Sequence, residues 1–264
     1  MTQFTDSGEA DAELSMVERV SDERALIAPW WHTLLVVTLI LGLSISGAWR
    51  MNHFGNRPLM LTPNYLLTIA YEWILAGLAL WGISMRGIGL KQLLGEWKPD
   101  ARGWIADIGV AFLFWLAALM LLSVLGQGIR YALGATVDPS KIADITQKLA
   151  PTTGVEMVLF LVLSISAGIC EELVFRGYLQ QQCARASGRT WIGVAIAALI
   201  FGCAHGYEGV AGVLLITAYG AMFGVLAIYR RGLRTGMIAH AWHDSASGIA
   251  LVLLRHYGFH LGMK

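Results

Sequence analysis

Long apolar runs, interrupted by short polar stretches, dominate the pattern along the chain. About 20 apolar residues in a helix span the ~30 Å hydrocarbon core of a bilayer. We predict seven spans, at about 29–49, 61–85, 103–126, 154–179, 190–206, 210–229 and 234–254. Only 14% of the 264 residues are charged and 56% are hydrophobic, whereas a soluble domain has ~25% charged residues. The pattern predicts an all-α fold, a polytopic transmembrane helix bundle.

The polar stretches around these runs set the domain organisation. Residues 1–28 are polar and mostly acidic and lack the basic region of a secretory signal, which predicts a retained N-terminal tail. We divide the rest into N-terminal spans and interfacial loops at 29–153, a second group of spans at 154–254 and a short C-terminal tail at 255–264. The segment between the second and third spans mixes Leu and Ile with charge, which predicts an interfacial helix and loop.

Charge and cysteine content indicate the orientation of the chain in the membrane and exclude some classes of partner and site. One side of the predicted bundle collects eleven Lys and Arg residues and the other seven, so the positive-inside rule predicts a cytoplasmic N-terminus. We therefore expect a multi-pass protein of the plasma (inner) membrane, surrounded by lipids. The net charge of +1 gives no reason to expect a nucleic-acid partner. Cys170, Cys183 and Cys203 form no CxxC pair and are odd in number, so neither a disulfide framework nor a structural zinc site is predicted.

Polar side chains interrupt the last spans at depths where lipid should exclude them. An ionised group there costs at least ~2.5–3.5 kcal/mol on insertion scales. Six such residues lie on three spans: Glu171, Glu172, Arg176, His205, His240 and Asp244. Glu171 and His205 each lie 17 residues from Gly188, in the turn of a helical hairpin, which predicts that the two are level. His240 and Asp244 share a helix face at i, i+4.

Simpler explanations exist for each residue alone. Glu172 and Arg176 suit a buried ion pair that fixes helix packing, and a single histidine more often makes a contact between helices. Glu72, alone in the second span, is most simply explained by a hydrogen bond to a neighbouring Ser, Tyr or backbone group. Six costly groups at compatible depth on three helices are nevertheless too many for packing alone, and they predict a functional site. In that site we expect Glu171 to lie within side-chain reach of His205 and His240, through a hydrogen bond or one bridging water, and Arg176 to point inward. We expect its cavity to open toward the side that bears Arg185, Arg189, Arg230 and Arg231.

The motifs that carry these residues resemble those of the CPBP family, which comprises CAAX proteases and bacteriocin-processing proteins and is also called the Abi family. EELVFR fits EExxxR, FGCAH fits FxxxH and HAWHD fits HxxxN/D, in the order and on the helices typical of that family. The resemblance covers residues 154–254, which would then be its catalytic transmembrane core. Asp244 stands where many members have Asn.

This resemblance implies an intramembrane endopeptidase. Glu171 would act as general base and His205 would orient the attacking water, with Glu172 and Arg176 as supports. His240 would donate to the oxyanion, and Asp244 would either fix the His240 tautomer or itself act as a protonated donor. A zinc ion held by Glu171, His205 and His240 is an open alternative to water activated by glutamate alone. We lean to no tightly held zinc, because no HExxH spacing preforms a site.

The expected substrate is a membrane-anchored peptide or protein, either of the prenylated CAAX type or bacteriocin-like, because a soluble one would not reach a sunken site. Three other functions stay open. A small transporter would use the buried Glu and His groups as a relay. A non-catalytic scaffold or immunity protein would keep the fold without the reaction. A thiol hydrolase would use Cys170 or Cys203 with His205, although Cys203 lies two residues from His205 and so on another helix face.

Overall fold

The computed structural model describes residues 26–54, 60–95, 100–132, 134 and 150–258. Its helices, in chain order, are α1 Trp30–Phe54, α2 Leu61–Ser84, α3 Leu90–Leu94, α4 Ala101–Ala132, α5 Gly154–Glu171, a π-helical segment Glu172–Leu179, α6 Gln180–Ser187, α7 Thr190–Ala204, a 3-10 turn Gly206–Glu208, α8 Gly209–Arg230 and α9 Arg234–Gly258. The predicted all-α bundle is confirmed over these ranges. Most of the predicted N-terminal tail and the end of the C-terminal tail lie outside the described residues.

Each of the seven predicted spans corresponds to a helix, but not every helix has the length and composition of a membrane span. Five stretches qualify among the described residues: Trp30–Trp49, Leu61–Ser84, Ala101–Ala132, Gly154–Ser187 and Gly206–Arg230. Helix α7 is apolar but has only 15 residues. Helix α9 is long enough, but the polar residues that interrupt it lower its hydropathy. The chain is therefore a polytopic helical membrane protein, and five stretches of its described part have sufficient length and hydropathy to span a bilayer.

Large apolar side chains face outward along these helices. Leu34 and Ile45 of α1 are 63% and 69% exposed, and Ile105 and Met120 of α4 are 71% and 72% exposed. Buried positions of the same helices include polar residues such as His32. An apolar exterior around a partly polar interior is the arrangement expected when lipid surrounds the bundle.

The helix formed by α5, the π-helical segment and α6 is the axis of the bundle. A capping box starts α5 where the sequence predicts, because Thr153 Oγ1 accepts from the Glu156 backbone amide at 3.2 Å and Glu156 Oε2 accepts from the Thr153 amide at 3.2 Å. Helix α5 packs against α2 and α9, and α6 packs against α7. All eight residues of the π-helical segment are buried, so the acidic motif lies at the centre of the bundle.

Helix α6 is tied to the start of α1 by buried polar contacts. Gln182 Nε2 donates to the Ala28 carbonyl at 2.8 Å, and Gln182 Oε1 accepts from the Ala28 amide at 3.1 Å. Tyr178 Oη lies 2.8 Å from His32 Nδ1. Gln180 and Gln182, at the polar end of this hairpin, are buried and hydrogen-bonded within the bundle.

A buried carboxylate fixes the turn between α8 and α9. Asp107 of α4 pairs with Arg230 at 2.6 Å and with Arg234, and it accepts from Thr235 Oγ1 at 2.6 Å. Nearby, the short helix α3 confirms the predicted helix between the second and third spans, and its Leu94 carbonyl accepts from the Leu233 amide at 3.0 Å. These contacts hold the first turn of α9 and therefore set the height of the polar residues that follow on it.

Candidate active site

The two adjacent glutamates of the acidic motif face different surroundings. The Glu172 side chain is fully buried, and its Oε1 accepts from Arg176 Nη1 at 2.9 Å. The Glu171 side chain is 20% exposed and lines a cavity. The chain changes from α-helix to π-helix between these two residues. Short π-helical segments within α-helices are frequent at functional sites. Only Glu171 is therefore available to a bound molecule.

Arg176 is held from several directions inside the bundle. Besides Glu172, its guanidinium donates from Nη2 to the Gly220 carbonyl of α8 at 3.0 Å. Its Cζ atom lies 4.5 Å from the ring centroid of Phe201 and 5.0 Å from that of Phe223. These contacts account for the predicted inward orientation of Arg176 and link the acidic motif to α7 and α8.

Close approach of two helices brings the acidic motif to His240. A Cβ atom on Gly168 of α5 would lie 2.7 Å from the Ala241 backbone nitrogen of α9, so only glycine fits there. A Cβ atom on Gly236 would similarly lie 2.9 Å from Glu172 Oε2. The sequence pattern did not single out either glycine, because each is needed only once its helix has a partner.

His240 sits among three carboxyl groups and behind Glu171. Its Nδ1 lies 3.1 Å from Glu172 Oε1, and its Nε2 lies 3.4 Å from Glu171 Oε2 and 3.8 Å from Asp244 Oδ2. The residue is only 4% exposed and does not line the cavity. The prediction that Glu171 lies within side-chain reach of His240 is therefore met. His240 faces the carboxylates rather than the cavity, an arrangement suited to holding Glu171 in place.

His205 reaches the site from the end of α7. Its Nδ1 lies 2.9 Å from the Phe201 carbonyl, which can only accept, so Nδ1 bears the proton of this hydrogen bond. Nε2 of the neutral ring is then an acceptor. Ser44 of α1 fixes this helix end, because its hydroxyl donates to the Cys203 carbonyl at 2.7 Å and accepts from the Gly206 amide at 3.3 Å.

A cavity of about 490 Å³ joins Glu171 to His205. It is lined by residues of α1, α2, α5, the π-helical segment and the end of α7, and both polar groups stand on its wall. No direct hydrogen bond joins Glu171 and His205 among the described residues, so their contact through a bridging water stays a prediction. Apolar side chains make up much of the rest of the wall: Ile40, Leu43, Leu67, Leu75, Val174 and Phe175.

The cavity lies in the opposite half of the bundle from the one that we expected. We predicted an opening on the side that bears Arg189 and Arg230, because His240 lies close to that end of its helix. The lining residues Gly47, Asn64 and Tyr207 instead lie toward the other ends of the neighbouring helices. The difference arises because His240 sits behind Glu171 and therefore does not mark the accessible side.

Glu72 is a further acidic residue of the cavity wall, and the simple explanation for it fails. It is 7% exposed, it lines the cavity together with Glu171, and its Oε2 is buried without a hydrogen-bond partner in the described part of the chain. A bond to a neighbouring side chain or backbone group therefore does not satisfy this oxygen. The sequence signal was present, since a lone ionisable residue within a span is a candidate functional group.

The described residues do not gather into a site for a metal ion. They contain no group of three or more His, Cys, Asp or Glu side chains arranged to hold one. Of the three zinc ligands that the sequence suggests, His240 is directed at Glu171, Glu172 and Asp244, and His205 reaches the site only across the cavity. We therefore derive no chemical step through a metal.

Comparison with known proteins identifies the part of the chain that holds this site. Residues 153–246 match the family model described as Rce1-like, type II CAAX prenyl endopeptidase Rce1-like. The match agrees with the resemblance to the CPBP family and includes all three of its motifs. No curated protein and no solved structure matches the chain significantly.

Proposed function

We propose that this chain, in which residues 153–246 form an Rce1-like domain, is an intramembrane endopeptidase that hydrolyses a peptide bond of a membrane-anchored substrate. The family supports CAAX-type protease activity within the membrane. The observation that carries the proposal for this chain is the position of Glu171. Its partly buried side chain lines the cavity, and His240 Nε2 lies 3.4 Å from its Oε2.

The geometry favours a water molecule between Glu171 and His205. Glu171 is the only carboxyl of the acidic motif that faces the cavity, and His205 Nε2 is an acceptor because Nδ1 donates to a carbonyl. A water in the cavity would direct one O–H group to each of them. Proton transfer to Glu171 would leave a hydroxide that attacks the substrate carbonyl carbon, a step to which a positioned base contributes typically ~10²–10⁴-fold.

The other motif residues act on Glu171 rather than on the substrate. Arg176 neutralises Glu172, and both ring nitrogens of His240 face carboxyl groups. We therefore assign His240 to the positioning of Glu171, in place of the oxyanion role that the resemblance suggests. Asp244, 3.8 Å from His240 Nε2, limits the rotation of that ring. Such supports hold a catalytic group at its productive geometry.

The cavity wall favours a substrate with an apolar anchor. Aliphatic and aromatic side chains from α1, α2 and the π-helical segment surround the polar groups. A lipid-modified peptide, of which a prenylated CAAX tail is one example, would place its hydrocarbon chain against this wall and its peptide bond beside Glu171. Burying an apolar anchor gains roughly 25 cal/mol per Å² removed from water, a gain that an unmodified polar peptide lacks.

Purified protein in liposomes tests this function with a quenched prenylated peptide. We expect cleavage by the wild type and a loss of at least ~10²-fold in Glu171→Gln, which keeps the shape of the side chain but accepts no proton. Asp100→Asn is the matched control, because it also converts a carboxylate into an amide but at an exposed position outside the cavity lining, and its rate should stay at the wild-type level. Equal rates in Glu171→Gln and the wild type would remove Glu171 from the mechanism.

A further inference from the structure

Glu72 is the one acidic side chain of the cavity wall that the proposed mechanism leaves unused. It lies on the face of α2 that carries Asn64, Thr68 and Leu75, all of which line the cavity at helical spacing. Glu171 stands on the same wall from the end of α5, a helix that packs against α2. Two carboxyl groups from different helices therefore line the same cavity.

The carboxyl groups of Glu171 and Glu72 differ in whether a basic side chain lies beside them. His240 Nε2 lies 3.4 Å from Glu171 Oε2, so the His240 ring stabilises the negative charge of Glu171 when both of its nitrogens carry a proton. No Lys, Arg or His contacts Glu72 within the described ranges, and its Oε2 is buried without a partner. An unpaired buried charge is strongly unfavourable, and a second carboxylate in the same cavity would add repulsion. The favourable combination is a charged Glu171 and a neutral, protonated Glu72.

We propose that Glu72 is a second catalytic carboxyl, which delivers its proton to the leaving amine nitrogen. This inference rests on the proposed peptidase function. Glu171 takes a proton from water, and the resulting hydroxide forms a bond to the carbonyl carbon. When the bond from that carbon to nitrogen breaks, the nitrogen receives the proton of Glu72. The products are a carboxylic acid and an amine.

After one turnover Glu171 holds a proton and Glu72 has lost one. Transfer of that proton through water in the cavity restores both groups, so the cycle balances without a further reactant. A pair of titratable groups that differ in environment is a recurrent way to supply an acid and a base at one pH. Here α2 supplies the acid and α5 supplies the base.

An amide and an ester at the scissile position separate this role from a structural one. An amine leaves the tetrahedral intermediate only when it is protonated, whereas an alcohol leaves more easily without an acid. We expect Glu72→Gln to slow amide cleavage by ~10²-fold or more and to slow cleavage of the matched ester by less than ~10-fold. Glu171→Gln should slow both by similar factors, because both reactions need the activated water.

Two variants complete the experiment. Glu72→Asp keeps an acidic group and should retain more amide cleavage than Glu72→Gln. The control Asp100→Asn, at an exposed position outside the cavity lining, should match the wild type on both substrates. Equal losses on amide and ester in Glu72→Gln, or no loss on either, would overturn the assignment of Glu72 while leaving the peptidase intact. A folded wild type that cleaves neither substrate would instead overturn the proposed function itself, and this inference with it.

Discussion

Replacement of Arg176 by Met tests whether the acidic motif is held as the structure describes. The change removes the partner of Glu172 Oε1 at 2.9 Å and the donor to the Gly220 carbonyl at 3.0 Å. Breaking a buried ion pair by removing one partner costs ~3–5 kcal/mol, because the other charge stays buried. His240 Nδ1, 3.1 Å from the same Glu172 oxygen, compensates part of that charge, so we expect the lower end of this range.

A double variant separates the ion pair from the loss of the arginine side chain. In Glu172→Gln with Arg176→Met no unpaired charge remains, so its free energy of unfolding should exceed that expected from adding the two single changes by ~0.5–3 kcal/mol. Arg189→Met, at an exposed position, should stay within ~0.5 kcal/mol of the wild type. SDS titration in mixed micelles, followed by circular dichroism, measures all four proteins against the wild type. Strict additivity, or an Arg176→Met variant as stable as the wild type, would refute the buried pair.

Three further changes test other parts of the structure. Gly168→Ala places a Cβ atom 2.7 Å from the Ala241 nitrogen, so it should lower the free energy of unfolding by ~1–3 kcal/mol and slow cleavage. The control Gly109→Ala should do neither, because nothing lies within 4 Å of its new Cβ atom. Equal effects of the two changes would contradict the close helix contact. If glutamate alone activates water, activity survives exhaustive chelation, and one equivalent of zinc that tracks activity would contradict this. Cys170→Ser and Cys203→Ser should stay active, and a loss in either would revive the thiol hydrolase.

The helices and the grouping of the motif residues could be predicted because their signals are local. Apolar runs predict where the helices lie, although α1 and α4 extend to Phe54 and Ala132, beyond the predicted ends at 49 and 126. The spacing within EELVFR predicts the contact of Glu172 with Arg176 one turn away. Counting residues to the hairpin turn predicts that Glu171 and His205 lie at the same depth along the two helices, and both residues line the same cavity. Helix geometry and the cost of burying charge were sufficient for these features.

The remaining features depend on contacts between helices that a single sequence does not reveal. Nothing in the order of Glu171 and Glu172 indicates which one faces the cavity, since that follows from a π-helical segment and from the packing of α9. The pairing of Asp107 with Arg230 and Arg234 joins distant parts of the chain. Apolar runs alone also do not indicate that α7 has only 15 residues or that five stretches of the described residues have the length and hydropathy of a span.

Cleavage of a prenylated peptide in water labelled with heavy oxygen tests the central claim most directly. Purified wild-type protein in liposomes should convert the peptide into two products, with one labelled oxygen atom in the new carboxyl group, as measured by mass spectrometry. The same sample of Glu171→Gln should leave the peptide largely intact. An intact peptide in the presence of folded wild-type protein, or equal labelling by both proteins, would contradict hydrolysis by water that Glu171 activates.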